Sequence, residues 1–153
     1  MIYCNGDNIF REETVMHDKI SGASLPSSAA LAYIGDARHA LYVRRMLVLR
    51  GITKAGELNE LALEYVTAEA QAKAYAAIEE LLLDDEREVF RRAFNSTHLN
   101  KPKRASGKDY RTATGFEAVI GMLEWIGDTE RINELLSICC EKINGGNDND
   151  TEN

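Results

Sequence analysis

The stretch Leu31–Leu41, LAYIGDARHAL, constrains the fold most, because it sets one carboxylate beside a glycine in an otherwise apolar helical run. Residues four and seven apart share a helix face, so Asp36 lies on a stripe with Ala29 and Ala32 on which it alone is polar. Burying a lone carboxylate costs free energy unless it is paired or binds a metal. Gly35 costs a helix roughly 1 kcal/mol relative to Ala. The pair therefore indicates close approach of another backbone, a substrate or a metal; the alternative is a partly exposed helical Asp.

The composition favours one all-α domain. The chain has 153 residues, of which 44% are hydrophobic, and it is rich in Ala, Leu and Glu with only two prolines. No run approaches the roughly 18 apolar residues of a membrane span, and the N-terminus lacks a signal-peptide pattern. We therefore expect a cytoplasmic protein without a membrane partner. The three cysteines lack metal-ligand spacing and are expected to be reduced structural thiols: Cys4, Cys139 and Cys140.

Helical periodicity and capping residues predict six helices in a domain spanning residues 25–143. Residues 1–24 form an N-terminal extension for which the sequence predicts no definite structure. A polar tail, 144–153, follows the domain and is expected to be disordered. The first helix is expected to be the central one, from a Ser cap at Ser27 or Ser28 to about Arg50. The remaining helices are expected at 55–65, 68–83, 85–94, from 111 or 112 to 126, and after a cap at Asp128, with a capping box of Asp85 and Glu88 opening the fourth.

A basic segment interrupts this acidic chain of net charge −7. Residues 95–109 are irregular and polar, and a loop of that length in a compact helical domain is often functional. Net charge averages over faces, so a local basic patch can still bind RNA. The alternative is a solvated loop that keeps the protein soluble. The predicted RNA-binding residues are Lys101, Lys103, Arg104, Lys108 and Arg111.

A second carboxylate repeats the setting of the first. The stretch TGFEAVIGM places Glu117 among apolar residues, with Thr114 and Gly121 on its helical face. Two such acids on two buried helices predict a shared site. Mg²⁺ takes oxygen ligands, often only one or two carboxylates with water and substrate phosphate. Asp36 and Glu117 fit that pattern and are the candidate metal ligands and catalytic residues.

Four further side chains are weaker candidates. His39, three residues after Asp36, could reach a metal, although an ordinary helical His beside solvent is favoured. Glu124 could extend the site electrostatically, although a solvated face is favoured. Tyr33 and Tyr42 are expected in the core or in a dimer contact.

The order of these motifs resembles the catalytic domain of the ribonuclease III superfamily, and more closely the Mini-ribonuclease III family, which lacks a double-stranded-RNA-binding domain. The resemblance extends from Ser28 to Ile143 and includes LAYIGDA, YVRR, YVTAEAQA, the loop near 95–110 and YRTATGFEA. It implies a compact all-α endonuclease domain that forms a homodimer and cleaves double-stranded RNA with Mg²⁺, leaving 5′-phosphate and 3′-hydroxyl ends. It also implies a role in maturation of large-subunit (23S) ribosomal RNA.

The resemblance carries one departure. The four acidic positions of classical ribonuclease III correspond to Ala29 or its neighbour Ala32, Asp36, Thr114 and Glu117, of which two are acidic. Mini-ribonuclease III shows the same reduced pattern, which favours a sparser working site. Two alternatives stay open: a non-catalytic RNA-binding or ribosome-assembly module, and a purely structural helical dimer, which leaves the basic loop unexplained.

Overall fold

The computed structural model describes residues 24–96 and 107–147, which form six α-helices and no strand. The all-α prediction is confirmed. The loop residues 97–106, the tail residues 148–153 and all but the last residue of the extension lie outside the described ranges. The helices are α1 (Ser28–Leu49), α2 (Ala55–Val66), α3 (Ala68–Ile78, followed by a 3₁₀ turn, Glu79–Leu81), α4 (Asp84–Phe94), α5 (Gly107–Trp125) and α6 (Thr129–Asn147). None of these helices is long and apolar enough to cross a membrane.

Local capping chemistry sets several helix ends where the sequence predicts them. Ser27 Oγ and Thr67 Oγ1 each accept a hydrogen bond from the backbone amide three residues later, at 3.2 and 3.3 Å. Asp128 Oδ1 does the same for α6 at 3.1 Å. Gly51 ends α1 with φ +89°, a conformation that costs glycine little. These short-range signals are confirmed because they depend only on neighbouring residues.

The start of α4 departs from the expectation. Its first turn is capped by Glu86, whose Oε2 accepts from the Leu83 amide at 2.9 Å. Glu88, the predicted partner, instead forms an exposed ion pair with Arg91 at 2.8 Å. The predicted capping box is therefore wrong in its residues, and α4 begins at Asp84.

Three helix boundaries also differ. After Ile78, α3 tightens into the 3₁₀ turn instead of continuing to residue 83, and α5 begins at Gly107, inside the predicted loop. Helix α6 continues through residues 144–147, which were predicted to belong to the tail. The Tyr65 hydroxyl accepts from Arg50 Nη1 at 3.2 Å and donates to Asn144 Oδ1. These contacts tie this end of α6 to α1 and α2, which explains its order.

Helix α5 lies at the centre of the fold. Its residues from Thr112 to Leu123 are buried, except for the half-buried Glu117, and it packs against α1, α3, α4 and α6. Helix α1 leaves large apolar side chains in solvent, including Tyr33 at 82% and Leu41 at 50% exposure. The prediction that α1 is the central helix is therefore wrong, because its apolar residues exceed what its one buried face covers.

A buried ion pair links α4 to α6. Arg131 Nε and Nη2 donate to Glu86 Oε1 and Oε2, both at 2.9 Å, and the two side chains are 14% and 2% exposed. Cys139 and Cys140 of α6 are buried free thiols, which confirms the expectation for these two cysteines. Cys4 lies outside the described residues.

Candidate active site

Helices α1 and α5 touch through two glycines. A Cβ atom added at Gly35 would overlap the carbonyl oxygen of Glu117 and lie 2.8 Å from the Gly121 nitrogen. A Cβ added at Gly121 would overlap the Leu31 carbonyl oxygen and lie 3.0 Å from the Gly35 nitrogen. Only glycine fits at both positions. The Gly35–Asp36 pair predicted the close approach of another backbone, a substrate or a metal. The structure shows the close approach of another backbone.

The glycine contact brings the two candidate acids together. Asp36 directly follows Gly35, and the Glu117 main chain packs against Gly35 from the opposite helix. The Asp36 charge is close enough to help raise the pKa of Glu117. Two carboxylates that lie 81 residues apart in the sequence are therefore close together at the crossing of α1 and α5.

Asp36 is exposed, which agrees with the second of the two expectations for this residue and not with a buried acid. The buried face of α1 runs through Ala32, Gly35 and His39. Because successive residues turn about 100° around a helix, Asp36 sits at the edge of that face and not in its middle. Its carboxylate is therefore open to a ligand arriving from solvent.

Glu117 is half-buried, and its environment disfavours the charged form. Burial, with a smaller contribution from the Asp36 charge, raises the pKa of Glu117 to about 7, while a hydrogen bond from Gln71 opposes the rise. Near neutral pH this carboxyl group is partly protonated. A cation placed beside it would favour the carboxylate, since opposite charge stabilises the ionised form.

A buried polar pair lies behind Glu117. Gln71 Nε2 donates to His39 Nδ1 at 3.2 Å, and the His39 ring packs edge-on against Phe116 with centroids 5.2 Å apart. Burial lowers the pKa of His39 to about 4, so the ring is neutral at physiological pH. The expectation of a histidine beside solvent is wrong, because Phe116 of α5 and Gln71 of α3 contact the buried ring. Sequence reasoning missed Gln71, whose only signal is a polar side chain between the buried Ala70 and Ala74.

The donor set fits a sparsely held divalent cation. No group of three or more His, Cys, Asp or Glu side chains that could hold a metal occurs within 24–96 and 107–147. Thr114 Oγ1 donates to the Tyr110 carbonyl at 3.0 Å, and Glu124 pairs with Arg38 at 2.8 Å. Asp36 and Glu117 remain, and Mg²⁺ commonly binds one or two carboxylates while water and substrate phosphate fill its other positions.

The predicted RNA-binding cations are only partly described. Lys108 and Arg111 are exposed in the first turns of α5, the helix that carries Glu117. The Arg111 guanidinium lies 4.7 Å from the centroid of the Phe94 ring, a cation–π contact that holds the two ends of the basic loop together. The other three cations, Lys101, Lys103 and Arg104, lie outside the described residues.

The two tyrosines of α1 separate. Tyr42 is partly buried and packs against the core, as one of the two expectations for it required. Tyr33 is 82% exposed, so a place in the core of the single chain is wrong for this residue. Its remaining expectation is a contact with a second subunit.

Known proteins match this chain over most of its length. The ribonuclease III domain model matches residues 29–128. The chain is 40% identical over 124 residues to Mini-ribonuclease 3 of Streptococcus pneumoniae, covering 80% of this chain and 97% of that one. It is 36% identical over 134 residues to Mini-ribonuclease 3 of a Thermoanaerobacter species, covering 88% and 94%.

The crystal structure of a Fusobacterium nucleatum protein has the same fold, with a TM-score of 0.68 and 27% identity over 75% of this chain and 92% of that one. The predicted family and enzyme class are both confirmed. With the helical fold and the long matches to curated relatives in agreement, the chain belongs to the ribonuclease III family of endoribonucleases, in its Mini-ribonuclease 3 branch.

Proposed function

We propose that this protein is a Mg²⁺-dependent endoribonuclease that cleaves double-stranded RNA as a homodimer. The observation that carries the proposal is the crossing of α1 and α5, where the exposed Asp36 and the half-buried Glu117 share one site. Family membership supplies the reaction class, and the donor set supplies a reason for the cation. The expected products carry 5′-phosphate and 3′-hydroxyl ends.

The two carboxylates take different parts in this mechanism. Asp36 and Glu117 would hold Mg²⁺, which would supply positive charge and activate water for hydrolysis of the phosphodiester bond. Asp36 is exposed, so RNA can reach its carboxylate from solvent. Glu117, anchored by Gln71, provides the less mobile of the two ligands. The small protein ligand set leaves room for water and phosphate oxygens.

The dimer is supported by an apolar stripe on α1. Tyr33, Leu41 and Val48 are 82%, 50% and 56% exposed, and their spacing of eight and seven residues places them on one helix face. A two-fold interface on this face would present two identical sites to the two strands of a duplex. Sedimentation should therefore show a dimer at micromolar concentration, and Tyr33→Arg should shift it towards monomer. A monomeric wild-type protein with full double-strand cleavage would contradict this arrangement.

The basic loop is proposed to grip the duplex backbone. An A-form duplex is recognised mainly through phosphates and 2′-hydroxyl groups, which a run of cations can follow without reading bases. Replacing Lys101, Lys103 and Arg104 with Ala should flatten the dependence of log affinity on log salt by roughly two to three units per loop engaged. An unchanged salt slope would favour a merely solvated loop.

The deciding experiment incubates purified protein with a long RNA duplex, first with Mg²⁺ and then with EDTA. We expect endonucleolytic products with 5′-phosphate ends that appear only with Mg²⁺. Single-stranded RNA of the same sequence is the matched control and should remain intact. Equal cleavage in EDTA would remove the metal from the proposal, and duplex binding without cleavage would replace it with the alternative below.

The alternative is a non-catalytic RNA-binding or ribosome-assembly module. One observation favours it: Ala32 and Thr114, at two of the family's acidic positions, are buried and not acidic. The role in maturation of large-subunit ribosomal RNA stays a prediction, to be tested by cleavage of that precursor. The cytoplasmic location also stays a prediction.

A further inference from the structure

A chain of hydrogen bonds joins three helices behind the candidate site. Gln71 on α3 donates to His39 Nδ1 on α1 at 3.2 Å, and Gln71 also hydrogen-bonds the Glu117 side chain on α5. His39 and Gln71 are 1% and 2% exposed, so solvent does not compete for these contacts. The sequence contains no glutamine other than Gln71.

In the structure, Gln71 Nε2 faces His39 Nδ1, so the amide nitrogen donates and the ring nitrogen accepts. The only donor in this side chain is Nε2, which carries two protons, while the imidazole lone pair and the carboxylate are both acceptors. Both contacts are satisfied together when the amino group faces His39 and Glu117. Because His39 Nδ1 accepts, the proton of the neutral ring resides on Nε2.

We propose that Gln71 is a positioning residue, which holds the Glu117 carboxylate in one orientation beside Asp36, and that His39 fixes the amide that does so. The inference rests on the proposed function, since it assigns this contact to divalent-cation binding. A mobile glutamate side chain loses conformational entropy when a bound cation restricts its torsion angles. A hydrogen bond from a buried, oriented amide removes part of that loss before the cation arrives, which matters most where the protein supplies few ligands.

Simple packing makes a different prediction from positioning. If the Gln71 side chain only filled space between α1, α3 and α5, its replacement would change thermal stability and leave the cation dependence as it was. Under the positioning role, cation affinity falls beyond what the lost stability explains. A readout of cation binding therefore separates the two roles where activity alone does not.

The first test replaces Gln71 with Met, which has similar length and no donor. Mn²⁺ serves as the probe, because the free ion can be followed by electron paramagnetic resonance, and half-saturating Mg²⁺ is measured in single-turnover cleavage. We expect roughly tenfold to hundredfold weaker Mn²⁺ binding and a matching rise in half-saturating Mg²⁺, with RNA affinity unchanged. Ile78→Val is the control, because Ile78 is buried on the same helix and its loss tests packing alone.

The second test needs no mutation in the network. Selective ¹⁵N-glutamine labelling gives signals from Gln71 alone, and its two amide protons should be resolved and exchange slowly with solvent. Mg²⁺ should shift these signals in the wild-type protein and not in Asp36→Asn. Exchange as fast as that of an exposed amide, or signals unmoved at Mg²⁺ concentrations that support cleavage, would overturn the inference even if Gln71→Met fails to fold.

Variants of His39 test whether this residue acts on Glu117 through Gln71. His39→Leu removes the acceptor and should weaken Mn²⁺ binding less than Gln71→Met does. Added to Gln71→Met, it should have little further effect, since His39 acts through Gln71. Fully additive losses would mean that His39 acts independently and would contradict the proposed order.

The outcomes distinguish this inference from the proposed function. Normal cleavage by Asp36→Asn would remove the carboxylate pair as the site, and the positioning role with it. Loss of cleavage in Asp36→Asn, together with wild-type cation affinity in Gln71→Met, would overturn the positioning role and leave the endonuclease proposal standing.

Discussion

Two glutamates in this fold carry the same side chain in opposite electrostatic settings. Glu86 is buried, yet hydrogen bonds from Arg131 and the Leu83 amide, with the Arg131 charge, outweigh that burial and lower its pKa. Glu117 is less buried, but its desolvation and the neighbouring Asp36 raise its pKa to about 7. One carboxylate is fully compensated by the protein, and the other is not.

The difference separates a structural carboxylate from a candidate functional one. A charge matched within the fold has no need of a ligand, and removing its partner leaves an uncompensated buried ion. A charge placed beside another of the same sign lowers the stability of the free protein and is satisfied only when something positive binds. Solvent exposure alone would have predicted a higher pKa for Glu86 than for Glu117, which is the reverse of the order found.

The largest effect is expected from Asp36→Asn, which removes one charge of the uncompensated pair. Duplex cleavage should fall roughly a thousandfold, or about 4 kcal/mol of activation free energy, because the cation loses a ligand. Since Asp36 is exposed, unfolding free energy should stay within about 0.5 kcal/mol of wild type. Cleavage rates and urea denaturation of the same preparation measure both. Near-normal Mg²⁺-dependent activity would contradict the assignment.

The compensated carboxylate should show the reverse pattern. Glu86→Gln should lower the unfolding free energy by about 3 kcal/mol, since the buried Arg131 keeps its charge and loses its bidentate partner. Cleavage by the protein that remains folded should change less than about tenfold. Chemical denaturation above pH 6 checks the first statement, because a carboxyl group of lowered pKa stabilises above its unfolded pKa and loses that effect as pH falls. An unchanged midpoint would break the comparison.

A smaller effect is expected from Glu117→Gln on stability, in the absence of divalent cations. The folded-state pKa of about 7 lies above the ordinary 4.5, so wild-type stability should fall as pH rises between these values. At pH 8 the cost should be on the order of 2 kcal/mol after allowance for partial exposure. The variant should lack this slope.

Urea denaturation of both proteins in EDTA at pH 5 and pH 8 measures that slope. Any constant change in hydrogen bonding cancels between the two pH values. Parallel pH dependence in variant and wild type would mean that the Glu117 charge has no uncompensated cost.

The smallest effect is expected from Glu88→Gln, which provides a third setting for the comparison. Glu88 pairs with Arg91 and Arg92 in solvent, where screening and side-chain entropy offset most of the attraction. Melting temperature and cleavage should match wild type. A clear loss of stability would show that exposed pairs matter here more than the comparison allows.

The sequence predicts features that depend on near neighbours. Ser27, Thr67 and Gly51 end helices where expected, because a cap involves residues three or four positions away. The two glycine–carboxylate motifs were also readable, since an acid in an apolar run is unusual. The two motifs themselves predicted a shared location for the acids, and the crossing of α1 and α5 brings them together.

Features that depend on distant partners were missed. Glu86 is fixed by Arg131, 45 residues away, so a local capping rule chose Glu88 instead. His39 is buried against Phe116 of α5 and Gln71 of α3, and the role proposed for Gln71 depends on residues of two other helices. The sequence left open whether Asp36 is buried or exposed, because the answer depends on which neighbouring residue, Gly35, faces α5. Periodicity gives a helix face but not which residues of that face meet a neighbour.

The glycine crossing also determines what can vary at this site. Main-chain atoms of α1 and α5 are in contact at Gly35 and Gly121. The distance between the two helices at this crossing is therefore set by the main chains and not by side-chain volume. Replacements elsewhere in the core can alter stability and leave the gap unchanged. Side chains at flanking positions such as Ala32 and Thr114 can differ in charge across the same gap. The fold thus keeps the spacing of the proposed cation site independent of the number of carboxylates at this crossing.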